Sequence, residues 1–315
     1  MMKKALATLL GVLTLLLAVY LLTPTSKLFE LMISAERLMA GLELKQVRVN
    51  KLNVAYLNGG SGEPLVLLHG FGADKDNWNR IAAHLTDHFE VFAIDIPGFG
   101  DSSADISLDY DVLSQTARIN EILSALELNK VHLAGSSMGG YIAGNYAAIY
   151  PKKVSQLWLI SPFGVKGVEN SDMFLSIKAG KNPVVLPRTE PEFLELFDYL
   201  FVKPPFVPQP IITHLAKQAE SRVLLNSKIF TQIHRLENGR PQPDSPLEDA
   251  LTTYKGPVLV TWGTLDRILH VSAADTLKQT MPHATLNLMT DMGHLPMMEN
   301  PQAAADAFLS FSSVQ

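Results

Sequence analysis

From Gln46 onward the chain alternates short apolar runs of strand length with helical stretches, and this rhythm narrows the fold more than any other feature. Pro64 to Leu68, Val91 to Ile94, Val131 to Ala134, Val154 to Ile160, Val258 to Thr261 and Thr285 to Met289 are apolar almost throughout. Such continuous runs suit strands buried on both faces, and parallel strands of that kind need helical crossovers above and below the sheet. The interleaved helices are clearest at Ile119, Ile122, Leu123 and Leu126, a stripe at i, i+3, i+4 and i+7. Val47 to Val49 and Val54 to Leu57 predict an opening antiparallel pair. Asn300 as cap and Pro301 at the first helical position predict a closing helix through Phe311. The expected architecture is α/β, a mostly parallel eight-stranded sheet with helices on both faces.

The rhythm breaks between Phe163 and Leu251, where Pro, Phe and Leu are frequent and no strand pattern appears. That stretch is too apolar for a disordered insertion, so residues 164–250 are expected to form a helical cap between core segments 46–163 and 251–315. Ahead of the core, residues 25–45 read as an amphipathic connector, with Leu28, Met32, Ala35, Met39 and Leu42 at helical spacing. It either lies near a membrane interface or packs on the core. Residues 1–24 read as a hydrophobic anchor. The uncharged run from Ala5 to Leu22 spans roughly 27 Å as a helix, close to the ~30 Å hydrocarbon core, and it follows Lys3 and Lys4. No Ala-x-Ala site follows, which favours an uncleaved single anchor over a cleaved signal peptide. The charge bias predicts export of the core to the periplasmic or lumenal side.

Composition removes several classes of chemistry. The chain has no cysteine, hence no disulfide and no thiolate nucleophile or ligand. The formal charge of -5, with both signs mixed along the chain, gives no basic stripe for nucleic acid. None of the nine histidines has the spacing of a His-Glu-x-x-His site, and no metal is assigned.

The motif that carries chemistry is Gly135-Ser136-Ser137-Met138-Gly139. It follows an apolar strand and opens a helical pattern, the strand-turn-helix setting of a nucleophile elbow with Ser137 as nucleophile. A serine on so tight a turn needs small residues two positions either side, and Gly135 and Gly139 supply them. Gly140, Gly144 and Ala148 are expected to let the following helix sit close to the sheet. A serine hydroxyl also needs a base and an acid, in the chain order Ser, Asp, His. His294, just past the last apolar run, is the expected base, and Asp266, just past Thr261-Trp262-Gly263, the acid that orients it. Asp95 is the rival acid, but it precedes the serine and stands in what reads as a structural turn, Asp95 to Gly100. Backbone N–H groups of Phe71, in His69-Gly70-Phe71-Gly72, and of Met138 are the expected oxyanion donors, with His69 bracing its loop. In the cap, Phe197 and Phe206 are expected to line an acyl pocket.

These residues resemble the α/β-hydrolase superfamily, and within it the membrane-anchored monoacylglycerol lipases and related bacterial lipases. The resemblance rests on Leu67-Leu68-His69-Gly70-Phe71, Lys75-Asp76-Asn77-Trp78, Ser137-Met138-Gly139-Gly140, Trp262-Gly263 with Asp266, and Gly293-His294 with Met298-Glu299-Asn300-Pro301. It implies the α/β-hydrolase fold and cofactor-free hydrolysis of a single-chain lipid ester through an acyl-enzyme. Three alternatives remain open: a carbon-carbon bond hydrolase of vinylogous diketones on the same fold, a hydrolase of non-lipid esters or peptides, and a non-catalytic binding module.

Overall fold

The computed structural model describes residues 23–237 and 240–313. The expected anchor lies outside these residues except for Thr23 and Pro24. Among the described residues no helix is long and apolar enough to cross a membrane.

The chain enters through helix α1 (Thr25–Met39) and turns at Gly41 into an antiparallel pair, β1 (Leu42–Val49) and β2 (Leu52–Gly60), in which Val47 opposes Val54. The strand β1 begins at Leu42, inside the expected connector. It is an edge strand whose Glu43, Leu44, Lys45 and Gln46 are exposed, so it offers no apolar run by which to recognise it. The sheet continues through β3 (Glu63–Leu68), β4 (Phe89–Ile94), β5 (Val131–Ser136), β6 (Val154–Ile160), β7 (Val258–Gly263) and β8 (Thr285–Met289). The eight strands lie in the order β1-β2-β4-β3-β5-β6-β7-β8, and all pairs beyond β4 are parallel.

Alternate side chains of these strands feed two cores, because successive residues point to opposite faces. Val66, Leu68, Leu133, Leu157 and Leu159 meet helices α2 (Val112–Ala125) and α3 (Met138–Ile149) through Ile119, Ile122, Leu123 and Ile142. On the other face Leu65, Leu67, Ala134, Trp158 and Ile160 pack with Trp78, Phe308 and Phe311. There the Trp158 and Phe308 rings stack 4.6 Å apart.

The cap between β6 and β7 carries α4 (Asp172–Lys178), α5 (Glu190–Leu200), α6 (Gln209–Ser221) and α7 (Val223–Ile233). It also holds an antiparallel hairpin, His234–Glu237 with Arg240–Pro243, where the sequence shows no strand pattern. The strands are four residues each and the second contains Pro241 and Pro243, too short and too proline-rich to show alternation. The usable signal is the Asn238-Gly239 dipeptide between them. Beyond the cap come α8 (Ser272–Thr280) and α9 (Pro301–Ser313), and the Asn300 side chain caps α9 by accepting the Ala303 N–H at 3.2 Å.

The connector helix α1 packs on the body of the protein. Arg37 makes two 2.6 Å hydrogen bonds to Asp76, Glu36 pairs with Arg80, and the Phe29 ring meets His214 of α6. Its other side, with Leu31, Ala35, Leu38 and Met39 at i, i+4, i+7 and i+8, is exposed.

Candidate active site

Ser137 sits where β5 ends and α3 begins, with φ 54° and ψ -116°. A non-glycine residue in that region is strained by about 1–3 kcal/mol, and the turn persists because its surroundings leave no alternative. The Ser137 N–H donates to the Ile160 carbonyl on β6, and the Ser137 carbonyl accepts from Tyr141 and Phe163. The flanking glycines are required by contact as well as by conformation. A Cβ at Gly135 would stand 2.2 Å from the Gly139 carbonyl oxygen, and one at Gly139 would stand 2.1 Å from that of Leu68. Gly140 likewise faces Pro162 and the Gly135 carbonyl beside the sheet. Gly144 departs from expectation, since a Cβ there would meet Leu247, four residues after the hairpin, at 2.5 Å. Its smallness accommodates the chain leaving the cap rather than the sheet.

His294 and Asp266 are both buried and meet directly, His294 Nδ1 lying 2.7 Å from Asp266 Oδ2. The carboxylate is fixed on both sides. Its Oδ1 accepts the backbone N–H groups of Ile268 and Leu269, and its Oδ2 also accepts the Trp262 indole N–H at 3.0 Å. Trp262 therefore has a role beyond the core, which the sequence shows only as part of the Trp-Gly pair before the acid. The next residue, Gly263, lets the two loops approach, because a Cβ there would lie 2.0 Å from the Gly293 carbonyl oxygen. Glu299 holds the histidine loop from below. One carboxylate oxygen accepts the Gly293 N–H and the other accepts those of Val202 and Lys203, just after α5.

Asp95, the rival acid, is committed elsewhere. It is fully buried, pairs with the Lys75 ammonium at 2.9 Å, and accepts the backbone N–H groups of Lys75 and Asp101. Burial alone would pull the Lys75 ammonium down, and the charges of Asp95 and Asp76 outweigh it and hold Lys75 above its ordinary range. The network ties the turn from Asp95 to Gly100 to the segment after β3.

That segment brings the loop His69-Gly70-Phe71 against the serine, where a Cβ on Gly70 would lie 3.3 Å from Ser137 Cβ. His69 is buried and spans the loop, with Nδ1 2.7 Å from the Gly70 carbonyl and Nε2 accepting the Ile96 N–H. Burial holds its imidazole below the usual range, in keeping with a neutral brace. The N–H groups of Phe71 and Met138 make no hydrogen bond to other described residues, Met138 being the first residue of α3.

Ser137, Phe71 and Met138 share one pocket, whose remaining walls include Phe163 and Met173 after β6, Ile233 and His234 of the cap, and Ile268 and Leu269. The last two join the pocket to the buried pair, since their N–H groups hold Asp266. Phe197 and Phe206 are not brought here. The Phe197 ring is sandwiched between Phe193 and Phe201, and Phe206 is 86% exposed. Their spacing and apolarity identify cap residues without saying which way each faces. His234, which does face the pocket, carries no sequence signal beyond its place next to an apolar helix.

The chain is similar to known proteins over most of its length. Residues 63–205 match the family described as alpha/beta hydrolase fold. Lipase 1 of Psychrobacter immobilis is 34% identical over 288 residues, 90% of this chain and 88% of that one. Monoacylglycerol lipase ABHD6 of Homo sapiens is 31% identical, covering 78% and 74%. The crystal structure of a membrane phospholipase A, described as a bacterial virulence factor, superposes with a TM-score of 0.87 at 37% identity, over 99% of this chain and 98% of that one. With this sheet order, this elbow and these relatives, the chain belongs to the α/β-hydrolase family.

Proposed function

We propose that the protein is a serine carboxylic-ester hydrolase, a lipase acting on monoacylglycerol-like esters, with Ser137 as nucleophile, His294 as general base and Asp266 as its orienting acid. The observation that carries this reading is the buried 2.7 Å contact between His294 Nδ1 and a carboxylate held on both oxygens. A carboxylate opposite Nδ1 keeps the proton there, which leaves Nε2 as the basic nitrogen.

The Ser137 hydroxyl gives its proton to His294 Nε2 as Oγ attacks the ester carbonyl carbon. The carbonyl oxygen becomes an oxyanion and takes the free N–H groups of Phe71, in the loop after β3, and of Met138, at the positive end of α3. Collapse breaks the ester C–O bond, and the imidazolium protonates the departing alcohol. Water, deprotonated by the same histidine, then attacks the acyl-enzyme and releases the acid and Ser137. The pocket walls of Phe71, Met138, Phe163, Met173 and Leu269 suit an acyl chain. The lipase relatives support the substrate class. A fluorophosphonate tests the reading directly: it should modify Ser137, as found by peptide mapping, and modification confined to another serine would overturn the assignment.

The N-terminus belongs to the same proposal. The apolar run from Ala5 to Leu22 serves as an anchor, and the outer stripe of α1, with Leu38 81% and Met39 74% exposed, lies at the lipid surface. A chain beginning at Thr25 is expected to keep its kcat on a soluble short ester. It should be released by high salt and alkaline carbonate, and should lose rate on lipid in vesicles, where attachment concentrates the substrate. The full chain should stay with membranes in both washes. A mature protein beginning near residue 25 in its host would instead identify a cleaved signal.

A further inference from the structure

Among the described residues that line the pocket, only Ser137 and His234 have polar side chains. His234 directly follows α7, where it opens the cap hairpin. Its ring is fixed rather than free. Nδ1 lies 2.8 Å from the Phe230 carbonyl, the Phe230 ring stacks on it at 4.1 Å, and the Phe163 ring packs at 4.3 Å. A carbonyl can only accept, so in the neutral ring the proton sits on Nδ1 and Nε2 carries a bare lone pair. Burial pushes the imidazole down to about 4, which keeps the ring neutral at neutral pH. Nε2 makes no hydrogen bond to another described residue, and apart from Ser137 the surrounding walls are Phe, Met, Ile, Val and Leu.

We infer that His234 is a specificity-determining residue, whose Nε2 accepts a hydrogen bond from a hydroxyl of the substrate during ester hydrolysis. The inference rests on the reading of Ser137 as nucleophile. The chemistry fits the monoester of a polyol, which keeps free hydroxyls next to the scissile ester, whereas a simple alkyl ester has none. A lone acceptor in an apolar wall discriminates strongly, because a substrate without a donor leaves it buried and unpaired. The same donor could sit on a hydroxylated acyl chain.

The contact to Phe230 also closes the last turn of α7, and a residue with that role alone would affect all substrates alike. Three substrates therefore decide the matter: a 1-monoacylglycerol, the methyl ester of the same acid, and the methyl ester of its hydroxylated analogue. In His234→Phe the kcat/KM for the glycerol ester is expected to fall about tenfold relative to the plain methyl ester, mainly through KM. His234→Gln, whose side-chain oxygen can accept, should recover most of the ratio. A selective fall for the hydroxylated acyl ester would keep the acceptor role and place the donor on the acyl chain. Equal losses on all three would overturn the inference. If His234→Phe is not recovered folded, the same ratios in His234→Leu give the answer. Ser137→Ala assayed on the plain methyl ester reports separately on the nucleophile, since retained turnover there would sink that assignment whatever the His234 ratios show.

Discussion

Replacing Ser137 or His294 with Ala is expected to lower kcat on a short ester by at least ~10^4, and replacing both should cost little more than either alone. In the proposed mechanism the two residues act as one unit. Without the imidazole the hydroxyl keeps its proton, and without the hydroxyl the imidazole has nothing to activate for attack on the ester. Ser137→Ala keeps the Cβ, so the elbow at φ 54° carries the same strain and the fold should melt as the parent does. The turnover that remains would come from the Phe71 and Met138 N–H groups and from binding in the pocket. The measurement is burst and steady-state kinetics on a chromogenic ester with the three variants side by side. Independent losses that multiply in the double variant would show that the two do not share one proton path.

Asp266→Asn is expected to lower kcat by about 10^4 while the protein stays folded, for a reason visible in the hydrogen bonds. Each carboxylate oxygen of Asp266 faces two donors: the Ile268 and Leu269 N–H groups on one side, the Trp262 indole and His294 on the other. An amide has one oxygen and one NH2, so one side must meet a donor with a donor. The main-chain N–H groups cannot reverse, but an imidazole can change tautomer, and the indole has a second acceptor in the Leu269 carbonyl. The amide should therefore turn its NH2 toward His294. Its Nδ1 then accepts, the proton moves to Nε2, and the base is lost. Asp95→Asn is the contrasting variant. It breaks the buried pair with Lys75 and should cost about 3–5 kcal/mol of stability, with a much smaller effect on kcat in the molecules that remain folded. A larger kcat loss in Asp95→Asn than in Asp266→Asn would exchange the roles of the two acids.

The places where the sequence is legible and where it is not follow from the range of the interactions. The central strand Val154–Ile160 coincides with its run because all but Ser155 are buried, whereas Thr285–Met289, at the far edge of the sheet, coincides with its run although only Met289 is buried. The elbow is readable because its glycines are forced by main-chain atoms next to it in the fold, and the meeting of Asp266 with His294 follows from their places beyond two adjacent strands. An exposed edge strand and a proline-rich hairpin show no such pattern, since little about their side chains is constrained. Gly144 and Phe197 face partners chosen by the packing of the cap and Phe206 faces solvent, none of which local spacing encodes. Trp262 illustrates the same limit within the site: its indole N–H reaches a carboxylate four residues on, and nothing in a Trp-Gly pair announces that contact.

The bracing of α1 has a mechanical consequence. A helix of 15 residues is about 22 Å long, and it is clamped to the segment after β3 by Arg37 and to the cap by Phe29, with no flexible linker before β1. It therefore works as an outrigger and not as a tether. The start of α1 keeps one position relative to the rest of the described residues. An anchor ahead of Thr25, as proposed, would thus hold the body by a stiff arm instead of a loose leash.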